Sequence, residues 1–336
     1  MTAKIRLAEG GGGQASADLI RNVFWSRLAH PELLRGNDAA VLKSPGETLA
    51  FSTDSFVITP WQFPGGDIGR LAVCGTVNDL AVMGAKPAVL SVSFIIEEGF
   101  NLPSLEMIAQ SLADTAAEAG VSVVCGDTKV VNKGAADGIF ITTSGIGAVL
   151  NGIRLGGENA QPGDAIIITG TIGDHGAAVM LARGELNISG NIKSDVAPLN
   201  NLLIPLLEKF ADKIKVIRDP TRGGLAVALN EIARQSRVSL RIIEHYLPIK
   251  PEVKGISGLL GLDPLYLANE GKAVIICNSS VATDVLTFLQ KYELGREARL
   301  IGEVTAEKPG LVTACNEIGG ERILPMGSGE NLPRIC

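Results

Sequence analysis

The sequence is poor in rings: aromatic residues make up 4%, with 2 Trp and 3 Tyr. Its cores must be built from aliphatic side chains, and a 46% apolar content is ample for that. It has no excess of positive charge, since 30 Lys and Arg face 36 Asp and Glu, for a net charge of −6. That excludes a general nucleic-acid binder or membrane-surface binder, so local amides, lysines or metal ions must attract any anionic ligand. No run reaches the roughly 18 apolar residues of a membrane span. The start, "MTAKIRLAEGG", lacks the apolar core of a signal peptide. The 5 cysteines show no metal-ligand spacing and no disulfide framework, which points to a reducing, cytoplasmic setting. Cys74, Cys125 and Cys277 lie in apolar runs and read as core residues. There is no GxxxxGK[ST] phosphate loop, and "GTIGDHG" is not a dinucleotide fingerprint. The 3 histidines are scattered, suggesting neither a triad nor a zinc site.

What is present is glycine, 40 residues of it, between alternating strand-like and helix-like segments. This pattern predicts an α/β chain. "LAFSTDSFVITP" reads as a strand, and "DIGRLAVCGTVNDLAVMGAKP" as a helix stopped by Gly84 and Pro87. "PSLEMIAQSLADTAAEAG" is a helix between Pro and Gly, and "VSVVCGDTKVV" a buried strand running into a polar loop. A Gly/Pro connector at 151–163 separates two domains. We assign 1–35 to a Gly-rich segment with its helix and 36–150 to an N-terminal domain. Residues 160–310 form a C-terminal α/β domain, and 326–336 a mobile tail with Gly327, Gly329 and Pro333.

Four carboxylates share a context: Asp38 in "GNDAAVL", Asp54 in "FSTDSF", Asp79 in "VNDLAV" and Asp127 in "CGDTKV". An acid at the edge of a core is costly unless capped, paired or metal-bound, and hard oxygen ligands suit Mg²⁺ beside a phosphate chain. Lys129 could face that phosphate or act as a base. Backbone amides around Gly10 to Gly13, ahead of a helix start, suit an anion. The chain ends on Cys336. No prenylation signal follows it, which leaves an accidental exposed thiol or a thiol carried on an arm.

Taken in order, "GNDAAV", "STDSF", "NDLAVMGAKP" and "CGDTK" resemble the superfamily of aminoimidazole ribonucleotide synthetase, selenophosphate synthetase and thiamine-monophosphate kinase. With "RDPTRGGL", "ANEGK" and the terminal "PRIC", the chain from about residue 4 to 336 resembles the HypE family of hydrogenase maturation factors. The resemblance implies a two-domain fold of the aminoimidazole-ribonucleotide-synthetase kind, with the N-terminal sheets paired in a homodimer. It implies ATP-dependent dehydration of an S-carboxamide on Cys336 to a thiocyanate, which supplies the cyanide ligand of [NiFe]-hydrogenase iron. The implied partners are the carbamoyltransferase HypF and a HypC–HypD iron scaffold. ATP would be held by Gly11, Gly12, Gly13, Asp54, Asp79, Asp127, Thr128, Asp219, Thr221 and Arg222, and Mg²⁺ by Asp38, Asp54, Asp79 and Asp127. Glu270 and Lys129 are the candidates for proton transfer, with a turn carboxylate and a surface ion pair as their alternatives; Asp219 could equally cap a helix. Two positions depart from the family pattern: Asn37 stands where an acid is common, and Glu9 where His precedes the glycines, so Glu9 must turn away or meet a cation. The competing readings are a selenophosphate synthetase, whose N-terminal Cys is missing from "LAEGGGGQ", a small-molecule kinase, or a non-catalytic scaffold presenting Cys336 to a metal.

Overall fold

A computed structural model describes residues 3–11, 13–184, 190–327 and 334–336. At the N-terminus Glu9 turns back on Arg6, accepting from its backbone N–H at 2.7 Å and pairing with its guanidinium at 3.3 Å. Gly10 packs so closely on β-strand residue Val130 that a Cβ would meet the Val130 nitrogen at 2.3 Å. Helix α1 (Gly13–Leu19) continues as a π-helical turn, and α2 (Pro31–Leu34) follows after a His30 cap.

The N-terminal domain runs through β1 (Leu49–Phe56), a small hairpin of β2 (Gln62–Phe63) and β3 (Gly66–Asp67), and α3 (Ile68–Val82). It continues with β4 (Ala85–Glu97), α4 (Leu102–Ala119), β5 (Ser122–Val131) and β6 (Ile139–Val149). The sheet order is β1-β6-β4-β5, with β4 and β5 parallel across the α4 crossover. Asp67 caps α3 by accepting from the N–H groups of Gly69 and Arg70. Helices α3 and α4 cover one face of the sheet. The other face exposes Leu49 and Phe51 of β1 and carries a row of hydroxyls. Two expectations change here. Strand β5 continues through Val131, so Asp127 and Lys129 lie within it rather than in a loop. Pro87 lies inside β4, at a register shift between Pro87 and Val89 that spares the ladder its missing N–H.

The C-terminal domain contains β7 (Asp164–Ile168), α5 (Asp174–Arg183), α6 (Asn200–Phe210), β8 (Ile214–Arg218) and α7 (Gly224–Ser236). After these come β9 (Ser239–Ile243), α8 (Pro251–Leu260), β10 (Val274–Asn278), α9 (Ala282–Leu289), β11 (Arg299–Thr305), β12 (Val312–Cys315) and β13 (Glu321–Ile323). Its sheet has the order β13-β12-β9-β11-β7-β10-β8. Strand alternation explains its two cores. Ile166 and Ile168 meet α7 through Leu225 and Leu229, while Ile167 points the other way into α6 and α9. Cys74 and Cys277 are buried as expected, but Cys125 is half-buried and lines a cavity on the open face of the first sheet.

Helix α3 lies at the junction of the domains, buried on nearly every side, with Ala81 and Val82 sharing a core with Leu199 and Leu203. Asn78 fixes the junction. Its amide donates to the carbonyls of Ala197 (3.1 Å) and Glu270 (3.3 Å), and its oxygen accepts from the Leu199 N–H (2.7 Å).

Candidate active site

The residue after Asn78 faces the same junction. Asp79 accepts from Ser52 Oγ at 2.5 Å and shares a hydrogen bond with Asp54 of β1. The loop after β8 brings Asp219 to this pair, and the loop before β10 brings Glu270. Four acids crowded at a half-dry junction resist ionisation. Burial, then the charge of Asp79, pushes Asp54 up to about 6, and Arg222 opposes the rise. Burial also raises Asp79, while its bonds from Ser52 and Asp54 hold it back. Asp219 is pushed up to about 7 by burial and then by Asp79. Glu270 is raised well above the ordinary carboxylate range by burial, then by Asp219 and Asp195. Its Oε1 is buried and has no hydrogen-bond partner. Helix α7 is preceded by Gly223 with no side-chain cap, so Asp219 does not serve as that cap. Thr221 accepts the Gly224 N–H in the same turn, and Arg222 is exposed beside it.

Strand parity sends the other two aspartates elsewhere. Asp54 is in register with Thr143, which faces α3, whereas Asp127 is in register with Ser93 and through it with Thr142 on the open face. Asp38 and Asn37 join Asp127 there in a cavity of about 530 Å³, with Ser91, Ser144 and Cys125. Lys129 pairs with Asp127 at 3.1 Å, both exposed, and Thr128 is half-buried. Gly11 and Gly13 are exposed near the end of β5, while Gly12 lies outside the described residues. Among the described residues no three acidic, histidine or cysteine side chains converge tightly enough to hold an ion alone. The Asp54–Asp79 pair therefore offers a partial oxygen shell. Mg²⁺ takes such shells, with phosphate and water oxygens filling the rest.

The chain's end is docked close by. The Val57 N–H, just past β1, donates to the Cys336 carbonyl oxygen at 3.1 Å. Arg334 donates to the Val57 carbonyl at 2.9 Å, stacks over Phe140 and pairs with Asp137. Arg183 donates to the Arg334 carbonyl at 3.0 Å. Ile335 is buried in the N-terminal core, and Cys336 packs against that core. Val57 stands three positions beyond Asp54, or roughly 10 Å along an extended chain. The tail's other expected features, among them Gly329 and Pro333, lie outside the described residues.

Several working residues were absent from the sequence-derived site. Asn269 is buried, donates to the Pro220 carbonyl and accepts the Gly173 N–H, tying three loops together. Asp195 accepts the N–H groups of Glu270 and Gly271. His175 bridges Ser194 and Ile335. Asn269 sits inside "ANEGK" and Asn78 inside "VNDLAV", where a buried polar side chain next to a charged one was a usable signal; "KSDVAP" gave none for Asp195.

Residues 36–149 match the N-terminal domain of AIR synthase related proteins, and 161–314 match the C-terminal domain of the same family. The chain is 48% identical to the carbamoyl dehydratase HypE of Rhizobium leguminosarum bv. viciae, over 99% of this chain and 95% of that one. It is similar to the crystal structure of the hydrogenase maturation protein HypE in complex with ATP, with a TM-score of 0.95 and 45% identity, over 98% of this chain and 99% of that one. It is also similar to HypE in a crystallised HypE–HypF complex, with a TM-score of 0.80 and 48% identity, over 91% of this chain and 99% of that one.

Proposed function

The chain belongs to the HypE family of carbamoyl dehydratases, enzymes of hydrogenase maturation, and from that premise we propose that its substrate is its own terminal residue. A carbamoyl group on the Cys336 sulfur loses water to become a thiocyanate. Carboxamide and ATP give thiocyanate, ADP and phosphate, with the amide oxygen leaving in the phosphate and both N–H protons released. ATP with Mg²⁺, when bound, supplies the phosphoryl group that turns an otherwise very poor leaving group into a good one. The observation that carries the reading is the docked end of the chain: a thiol that only hung in solvent would not need its last carbonyls held at Val57, Arg183 and His175.

The chain's own residues divide the work. Glu270 takes an amide proton, since its buried Oε1 lacks any donor and its raised pKa makes the ionised form a strong base. Asp54 and Asp79 hold the metal, whose charge would relieve the repulsion that keeps a proton between them. Asp219, Thr221 and Arg222 shape the same wall. Asp38, Asp127 and Lys129 meet the nucleotide from the open side of the sheet, with Lys129 countering phosphate charge, while Thr128, in register with buried Phe94, faces the helix side and the backbone amides of the Gly11 to Gly13 segment would take an anion. The exposed Leu49 and Phe51 support a homodimer closed through that open face. HypF, a partner of the relative in the solved complex, would load the carbamoyl group when the tail swings out, and a HypC–HypD scaffold would receive the cyano group. The chemistry needs Cys336 as a thiol, which agrees with a reducing cytoplasm.

Intact mass after incubation with carbamoyl phosphate, the carbamoyltransferase and ATP tests this. An adduct of about +43 Da should form on Cys336 and fall to about +25 Da with ATP, as the thiolate is the nucleophile. Peptide mapping that finds it on Cys74, Cys125, Cys277 or Cys315 rejects the reading.

A further inference from the structure

His175 is fully buried and both its ring nitrogens are engaged. Nε2 lies 2.8 Å from the carbonyl oxygen of Ile335, the residue that precedes Cys336. A carbonyl can only accept, so Nε2 carries the hydrogen, and in the neutral ring Nδ1 is then an acceptor. Ser194 Oγ stands 2.8 Å from Nδ1 and donates to it, while accepting the Val196 N–H at 3.1 Å. The result is one directed chain of hydrogen bonds from the 194–196 loop, through the imidazole, to the end of the tail.

The same loop holds Glu270. The Asp195 carboxylate accepts the Glu270 N–H at 3.2 Å and the Gly271 N–H at 3.1 Å. Approach is so close that a Cβ on Gly271 would lie 1.9 Å from the Asp195 carbonyl oxygen, which no side chain could tolerate. Loop and base therefore move together. With the tail out, the buried Nε2–H of His175 loses its acceptor, and a dry unpartnered donor is costly. The ring and Ser194 would then re-pair, shifting the loop that sets the Glu270 backbone.

Resting on the reading of Cys336 as carrier, we propose that His175 and Ser194 are positioning residues that couple tail docking to the alignment of Glu270, so that the base is in place only when the tail is inside.

The test follows both steps by intact mass in the full-length protein with carbamoyl phosphate, carbamoyltransferase and ATP. Ser194→Ala leaves the His175–Ile335 contact intact and cuts the link to the loop, together with the Val196 N–H bond that the same hydroxyl accepts. It should slow dehydration about tenfold, the ~1.4 kcal/mol of one neutral hydrogen bond, with carbamoylation unchanged. His175→Gln, which can still donate to Ile335 but cannot serve Ser194 in the same geometry, should behave likewise. Ser194→Ala combined with Glu270→Gln should be no slower than Glu270→Gln alone, because Ser194 acts through Glu270. Normal dehydration in Ser194→Ala, equal slowing of both steps, or additive slowing in the double variant overturns the coupling. Should His175→Gln not fold, Ser194→Ala alone decides. A wild-type protein that never acquires the about +25 Da adduct on Cys336 removes the carrier reading itself and the coupling with it.

Discussion

The two sides of the four-stranded sheet hold the same side chain in opposite circumstances. On the helix side, Asp54 and Asp79 are half-buried, share a hydrogen bond, and feel Asp219 and Glu270 across the domain junction. On the open side, Asp127 is exposed and has Lys129 for company at 3.1 Å. A screened surface pair contributes little to folding. A crowd of buried acids stores repulsion, and that repulsion is what a cation or a proton in transit can use. The helix side thus holds crowded acids short of compensating charge, while the open side holds an exposed acid already paired with a lysine.

The largest effect expected from this difference is at Glu270. Glu270→Gln should lower dehydration by roughly 10²–10⁴-fold, the usual weight of a positioned base. Nucleotide affinity by calorimetry should stay near wild type and carbamoylation should proceed, leaving the tail at the carboxamide mass. Dehydration at the normal rate would move the base to another residue, with Lys129 the first to examine.

Next is a direct contrast of the two sides. Asp79→Asn should weaken Mg²⁺-dependent ATP binding by roughly ten- to a hundredfold, the scale of losing a charge-assisted contact. Asp127→Asn should weaken it by less. Equal losses in the two titrations would show that both sides serve one metal site, and the division drawn here would fail.

A third variant asks whether the junction itself is held by Asn78. Asn78→Ala strips partners from the Ala197 and Glu270 carbonyls and the Leu199 N–H, all buried. About 3 kcal/mol of stability should be lost in urea denaturation. A loss under about 1 kcal/mol would mean that water replaces the amide.

How much of this was legible beforehand follows from what sequence can encode. Helix α4 was marked by Pro103 and Gly120, and its bounds came out close to those marks. Helix α8 and strand β9 went unread. Gly255 and Gly258 dilute the helical pattern of the first, and the second is a five-residue strand without turn signals of its own. The four aspartates were visible as acids amid apolar runs, but their assembly was not. Whether an acid in a strand faces one side or the other depends on the register and on where the strand ends, and Asp127 was read as lying in a loop. Glu270 was singled out through its motif, and the structure buries it at the domain junction. Asp195 and His175, which hold it and the tail, were not, because their value lies in contacts with residues 75 and 160 positions away.

The pH dependence of stability reads the stored repulsion most directly. Without a cation, burial and the neighbouring acids push Asp54 up to about 6 and Asp219 up to about 7, above their ordinary value of 3.8. Both groups keep their protons in the folded state at pH values where the unfolded chain has released them. Between about pH 4 and 7 these two groups therefore hold more protons in the folded state, and their contribution to stability falls as pH rises through that window, against the opposite contribution of His175, which burial keeps neutral. A carboxylate held by a salt bridge gives the opposite slope. Urea titrations across pH 4 to 7.5, without and with millimolar Mg²⁺, should show a decline in the absence of metal that is shallower in its presence, since the cation replaces the protons. Asp219→Asn should flatten the metal-free slope, and Asp127→Asn, on the open side, should leave it as it is. A metal-free slope left unchanged by Asp219→Asn, or changed as much by Asp127→Asn as by Asp219→Asn, would mean that the junction acids are not crowded in solution. The physical contrast between the two sides of the sheet would then be lost.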